Sequence, residues 1–283
     1  MYPITHSMKT SPDHKWMLSV LSRIPVLTYH KIEHRGELGI NCLTPQRLAV
    51  HMEYLAGAGF QSVTFQDILS GASLPPHPVI ITFDDGYESV YRAAFPLLRQ
   101  LGFRAVVFVI AGFLDGWNDW DLHPGRMRVR HLSREQVREL VSAGWEIGSH
   151  GLTHRALAHL PPEQVRAELA GARERLSALA REPVVTVAYP FGIQNPQVRE
   201  ISREAGYVFG CCSVRHLNRG SDLMQIPRIP VYQFEGVRAL KRKLKYPALP
   251  LREQYKLHLL SLPALLTPIY QRYFRKELFL DQY

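Results

Sequence analysis

Between Ile24 and Val231 the chain alternates short, almost wholly apolar runs with longer charged stretches. The runs are Pro25–Tyr29, Val79–Phe83, Ala105–Ile110, Trp145–Gly148, Val184–Ala188, Tyr207–Cys211 and Ile226–Val231. They show little polar alternation and much Val and Ile, as strands buried on both faces do. The stretches between them carry helix signals. Thr44–Ala58 begins with a Thr-Pro cap and first turn and ends at Gly57 and Gly59. Ser133 with Gln136 forms a capping box, and Gly144 stops that helix. Pro161–Arg181 and Pro196–Ala205 complete the set. Strand and helix in repeated alternation predict an α/β fold of parallel strands with crossover helices. A closed or nearly closed barrel is favoured over an open sheet.

Composition narrows the class. The chain has 283 residues, 46% apolar and 21% charged, which suits one large or two small globular domains and excludes disorder and collagen-like sequence. Its three cysteines, two of them adjacent at Cys211 and Cys212, give no disulfide framework and read as free thiols in a reducing compartment. No stretch has the length and apolarity of a membrane span. Met1–Arg23 places Asp13, His14 and Lys15 before the short run Trp16–Val20, which is a poor signal peptide. The expectation is therefore a cytoplasmic protein.

Charge divides the chain. Of the net +9, Gly236–Tyr283 holds most, with ten Lys or Arg against three acids. The expected organisation is an N-terminal tail (1–24), a main domain (25–235) and a basic, Pro-interrupted extension (236–283). That extension suits either an anionic membrane surface or a helix packed on the main domain with a solvated basic face. Aromatics interleaved with cations in a nucleic-acid module are absent, so no nucleic-acid partner is expected.

Three motifs carry chemistry, each at the end of an apolar run. Thr82-Phe83-Asp84-Asp85-Gly86 puts two carboxylates at the end of a buried strand, costly without a cation or hydrogen bonds. They read as metal ligand plus base, or as a helix cap. His150 and His154, four residues apart, can face one ion. His30 and His34 share that spacing, but His150 and His154 end a second strand on the rim that carries Asp85. One carboxylate and two imidazoles leave an open position, the arrangement of a catalytic zinc site. Ala188-Tyr189-Pro190-Phe191-Gly192 is either an ordinary turn or a device aiming a backbone N–H at a ligand oxygen. The long loop from Gly112 to His131 holds Trp117 and Trp120, as sugar-stacking faces or as a lid on the core.

In this order, the three motifs resemble those of the polysaccharide deacetylase family, also called NodB-homology or carbohydrate esterase family 4, over about Pro25 to Val231. The first motif is matched in full. The second, His-Ser/Thr-x-x-His, has Gly151 in place of the hydroxyl residue, and the third, Arg-Pro-Pro-Tyr/Phe-Gly, appears as Ala188–Gly192. The resemblance implies a deformed (β/α) barrel of about seven parallel strands and a divalent metal, usually zinc, on Asp85, His150 and His154. It implies hydrolysis of N-acetyl groups on amino sugars of a poly- or oligosaccharide, with Asp84 as general base. The Phe191 N–H is expected at the oxyanion, and Tyr189, Pro190, Trp117 and Trp120 against the sugar.

Two departures stand out. The third-motif arginine, which orients the base, is Ala188, and Arg228 is either its replacement or a surface arginine. The late Leu-x-His motif that supplies the acid has no good counterpart, His258 in the extension being poorly placed. His30, after Thr28-Tyr29, resembles the exopolysaccharide branch and is either the acid or a hydrogen-bonded rim histidine. Removal of formyl or O-acetyl groups from a lipid-linked sugar, and a catalytically silent binding role, are the alternatives.

Overall fold

The computed structural model describes residues 13–33, 40–118, 128–213 and 222–260. Its strands are β1 (Val26–Tyr29), β2 (Lys31–Ile32), β3 (Cys42–Leu43), β4 (Gln61–Ser62), β5 (Pro78–Phe83), β6 (Val106–Val109), β7 (Glu146–Ser149), β8 (Thr186–Ala188), β9 (Phe209–Cys212), β10 (Ile226–Pro227) and β11 (Ile229–Pro230). The helices are α1 (His14–Leu21), α2 (Pro45–Gly57), α3 (Phe65–Leu69), α4 (Phe95–Gln100), α5 (Arg134–Ser142), α6 (Pro162–Ala180), α7 (Pro196–Glu204), α8 (Val237–Lys243) and α9 (Leu251–Leu260).

The caps form as the sequence predicts. Thr44 Oγ1 accepts from Arg47 N at 3.2 Å, and Ser133 and Gln136 bond reciprocally. Asn195 caps α7 through Val198 N at 2.8 Å. Two short helices lack the length for a periodic signal. Asp13 caps α1, and Thr64 with Asp67 forms a capping box on α3.

The main sheet has nine strands, in the order β10-β9-β8-β7-β6-β5-β1-β11, with β4 added beside β5. Every pairing is parallel, and the sheet is nearly closed into a barrel with helices around it. Two strands exceed the seven apolar runs for plain reasons. β4 is too short to read, and the last run is split. β10 pairs with β9 and β11 with β1, so the two ends of the sheet are joined by one residue, Arg228.

Alternate residues of the strands face opposite ways. Val26, Ile80, Val106, Phe108 and Phe209 pack together with Met17 and Leu21 of α1 and Phe65 and Ile68 of α3. Leu27, Ile81, Val107, Val109 and Val187 pack instead beneath the helix layer. Each such side chain, fully buried, stabilises by about 1.5–3 kcal/mol. Parallel pairing aligns Tyr29 with Phe83, Phe83 with Val107, and Val109 with Ser149. The residues that follow these strands therefore share one rim, where barrels of this class carry their chemistry. Leu240, Leu249 and Leu257 of α8, α9 and their connection belong to the same apolar core as the helix layer. Residues 261–283 of the basic extension lie outside the described residues.

Candidate active site

The chain leaves β5 through two consecutive left-handed residues, Asp85 (φ 69°) and Gly86 (φ 67°). A side chain at Gly86 would also stand 3.3 Å from Val109 Cα, so glycine answers both backbone and space. The segment 130–132 braces the turn. His131 Nδ1 donates to the Asp85 carbonyl at 2.9 Å, Leu132 N to Gly86 O at 2.8 Å, and Glu88 N to Arg130 O at 2.9 Å.

Asp85 faces both imidazoles of the second motif. Its Oδ1 lies 3.4 Å from His150 Nε2 and 3.5 Å from His154 Nε2, and the three buried donors fall within 4.8 Å of one another. His150 Nδ1 donates to Ala188 O at 2.7 Å, which leaves the Nε2 lone pair turned toward a carboxylate. Two acceptors so placed call for a positive charge between them. Burial pushes the His150 pKa down, yet the hydrogen bond to Asp85 and the charges of Asp84 and Asp85 bring it above its usual value. Burial likewise opposes ionised Asp85, but His150, His154 and His30 hold its carboxyl far below the usual range. The donor set, one carboxylate and two imidazoles, fits a divalent cation.

Glu168, on α6, holds the turn between the two histidines. Its carboxylate accepts from Leu152 N and Thr153 N, both at 2.9 Å, and from the Thr153 hydroxyl. Gly151 is left-handed (φ 80°), and a Cβ there would stand 3.2 Å from Glu168 Oε2. Glycine thus replaces the family's hydroxyl residue where a carboxylate already braces the turn. The signal for Glu168 was a lone acid on the buried stripe Val165, Leu169, Ala172, Leu176.

Asp84 is 4% exposed and is gripped by Arg228, whose Nη1 and Nη2 donate to its two oxygens at 2.6 and 2.7 Å. Arg228 is buried rather than on the surface, with its guanidinium over the Phe108 ring at 4.9 Å. Burial alone would raise the Asp84 pKa. Arg228, His150 and His30 outweigh it and hold the carboxyl below its usual value. His30 Nε2 stands 3.9 Å from Asp84 Oδ2, its side chain 23% exposed. Burial, with repulsion from Arg228 and His150, lowers its pKa against the pull of the two aspartates.

The third motif follows β8. Phe191 is left-handed (φ 60°), and its ring meets His154 edge-on at 4.7 Å. Gly192 has no alternative, since a Cβ there would stand 2.7 Å from Ser213 N. Pro190 is buried at the turn's start, near Gly151. Tyr189 corrects the sequence expectation. It is fully buried, with its hydroxyl 3.7 Å from Met224 Sδ, and cannot touch a sugar. Strand alternation explains this, because Tyr189 follows Val187 into the helix-facing core while Ala188 faces inward.

Trp117 is 36% exposed, bridges to Arg130 and lies 5.1 Å from the guanidiniums of both Arg128 and Arg130. It belongs to the rim, one residue from the His131 that touches Asp85, and is not folded onto the core. Trp120 lies outside the described residues. All three cysteines are buried and none forms a disulfide among the described residues.

A barrel whose rim gathers two aspartates, two histidines and a buried arginine has recognisable kin. Residues 71–210, just under half of the chain, match the family model for polysaccharide deacetylases, and the chain carries a domain of that family. YxkH of Bacillus subtilis (strain 168), whose name carries the same family description, is 28% identical over 193 residues, covering 67% of this chain and 64% of that one. The poly-beta-1,6-N-acetyl-D-glucosamine N-deacetylase of Escherichia coli (strain K12) is 23% identical over 240 residues, covering 72% of this chain and 36% of that one. The chain thus spans less than two thirds of either relative. Among solved structures, that of IcaB from Ammonifex degensii aligns with a TM-score of 0.62 at 27% identity, covering 74% of this chain and 92% of that one.

Proposed function

We propose that this protein is a metal-dependent hydrolase that removes N-acetyl groups from the amino sugars of a poly- or oligosaccharide. The observation that carries the reading is the convergence of Asp85, His150 and His154 beside an Asp84 held in bidentate fashion by Arg228. Asp85 Oδ1 and the two Nε2 atoms would hold the cation, and two imidazoles with one carboxylate favour zinc. Such an ion, when bound, supplies Lewis acidity toward the acetamide carbonyl and lowers the pKa of water.

The chain's own groups supply the rest. Asp84, kept ionised by Arg228, accepts the proton of the attacking water. The Phe191 N–H stabilises the developing oxyanion. His30, beside Asp84 and open to solvent, delivers a proton to the departing amine. Its lowered pKa leaves it neutral at rest, so the proton it passes on is the one that Asp84, 3.9 Å away, has taken from the water. Trp117, with Arg128 and Arg130, offers an apolar face and cations to the glycan at the rim.

The names of the Escherichia coli and Staphylococcus aureus relatives make poly-β-1,6-N-acetyl-D-glucosamine the first polymer to assay. Purified protein should contain a divalent metal and release acetate and free amine in equal amounts. Formate, or acetate without new amine, would move the assignment to a deformylase or an O-acetyl esterase. Metal-loaded protein inert on every acylated glycan would leave a silent relative.

The same proposal includes a membrane partner. No described helix is long and apolar enough to cross a bilayer. However, α9 exposes Leu251, Tyr255 and Leu259 in one stripe, at 82, 73 and 54%. Between 236 and 260, Arg238, Lys241, Lys245 and Arg252 are exposed, while the one acid, Glu253, is buried. Apolar and cationic surface together suit peripheral docking on an anionic leaflet, at the inner face of the cell membrane.

A further inference from the structure

The barrel closes at its weakest point. β10 and β11 supply two residues each, and Pro227 and Pro230 have no N–H to give to a neighbouring strand. Between them sits Arg228, whose grip on Asp84 depends on where that seam lies. The backbone contributes Arg228 N to Cys212 O at 3.2 Å and Val231 N to Thr28 O at 2.9 Å. A side chain from the basic extension adds a tie beyond these and the strand pairings. Lys243, on α8, donates from Nζ to Pro230 O at 2.8 Å.

Lys243 is 0% exposed and is itself held from several directions. Its Nζ lies 3.1 Å from Glu235 Oε2 and 3.5 Å from Glu253 Oε1. Glu235 Oε2 also accepts from Tyr232 N at 3.0 Å, its backbone carbonyl from His51 Nε2 at 3.0 Å, and its carboxylate pairs with Lys256 of α9. Arg242 Nε donates to Glu253 Oε2 at 2.9 Å. Charged groups this deep stabilise no better than well-packed apolar ones would. What the cluster supplies is a donor at a fixed place, aimed at the seam.

We propose that Lys243 is a positioning residue that ties Pro230 in place and so aims Arg228 at Asp84, which makes α8 part of the catalytic unit rather than an appendage to it. This rests on Asp84 being the base. It also moves the functional boundary beyond residue 235, so removing the whole extension from Gly236 would cost turnover as well as any membrane contact.

The test compares Lys243→Met with Leu257→Ala in the full, metal-loaded chain. Leu257 is a buried α9 residue, and its truncation lowers stability without touching the seam. Lys243→Met should lower kcat by about ten- to a hundredfold with KM and metal affinity unchanged. Leu257→Ala should lower the melting temperature and leave kcat unchanged below it. Equal kcat losses in both variants, or none in Lys243→Met, would overturn the proposal. Lys243→Gln, whose uncharged amide is one bond shorter and falls short of Pro230 O, serves if the methionine variant does not fold. Hydrogen exchange at the Arg228 and Val231 amides should quicken in it, and unchanged exchange would refute the tie. That measurement needs no substrate, so its failure is distinguishable from failure of the deacetylase reading.

Discussion

Replacing Arg228 with methionine keeps most of the stem volume and removes both hydrogen bonds to Asp84. The nearest ionisable nitrogen left is then His30 Nε2, 3.9 Å away, while Asp84 stays 4% exposed. Truncating one partner of a buried pair costs about 3–5 kcal/mol, because the surviving charge is left in a poor medium. Asp84 can escape that penalty by taking up a proton, and this sets the pH dependence. In the native protein its pKa is depressed, so its stabilising contribution is present above the unfolded value and is lost as pH falls through the folded one. In the variant burial dominates and the pKa rises, so acid relieves the strain. Urea unfolding with a chelator present should therefore show the widest gap near about pH 8 and a shrinking one toward about pH 4. Adding Asp84→Asn to Arg228→Met should recover most of the loss. A gap below about 1 kcal/mol, or one indifferent to pH, would refute the argument that this pair is a charge stabilised by its partner.

Other expectations are more compact. Asp85→Ala should lose bound metal and activity together by elemental analysis and acetate release, whereas Asp84→Asn should keep its metal and lose about 10²–10⁴ in kcat. Glu146, buried at the foot of β7 against Thr186 Oγ1 (2.6 Å) and Gln66 N (2.9 Å), has its carboxyl pushed by burial up to about 7. Because that folded value lies above the unfolded one, its contribution is full below the unfolded pKa and fades as pH rises through about 7. Glu146→Gln should flatten that slope, on the order of 3 kcal/mol, in urea titrations across the range. Changing Leu251, Tyr255 and Leu259 to serine should release the protein from phosphatidylglycerol vesicles in sedimentation, with metal content unaffected; undiminished binding would remove the stripe from the membrane proposal.

Much of this arrangement was legible in the residues because it is local. Apolar runs of the right length announced β1 and β5 to β9, and the Thr44 and Ser133 caps lie three residues from the groups they satisfy. The placement of Asp85, His150 and His154 was readable because parallel strands deliver their following residues to one rim. The groups that brace the site were not. Glu168 reaches its turn from α6, His131 reaches Asp85 across 46 residues, and Lys243 is a cation inside a core. Nothing in their immediate neighbours announces such partners. The run Ile226–Val231 hid its division because Pro-Arg-Ile-Pro reads as one apolar stretch until its two halves choose different neighbours. Tyr189 is the opposite case, a motif residue whose direction is set by the alternation of β8, which turns it with Val187 into the core.

Among the described residues, Asp85, His154 and Phe191 are three of five without a glycine's freedom that adopt left-handed backbone. Each such residue costs about 1–2 kcal/mol. Selecting this protein for heat tolerance alone would thus reward glycine at positions 85 and 154 and strip away two of the three proposed metal ligands. An engineer should lock those positions before the first round of selection.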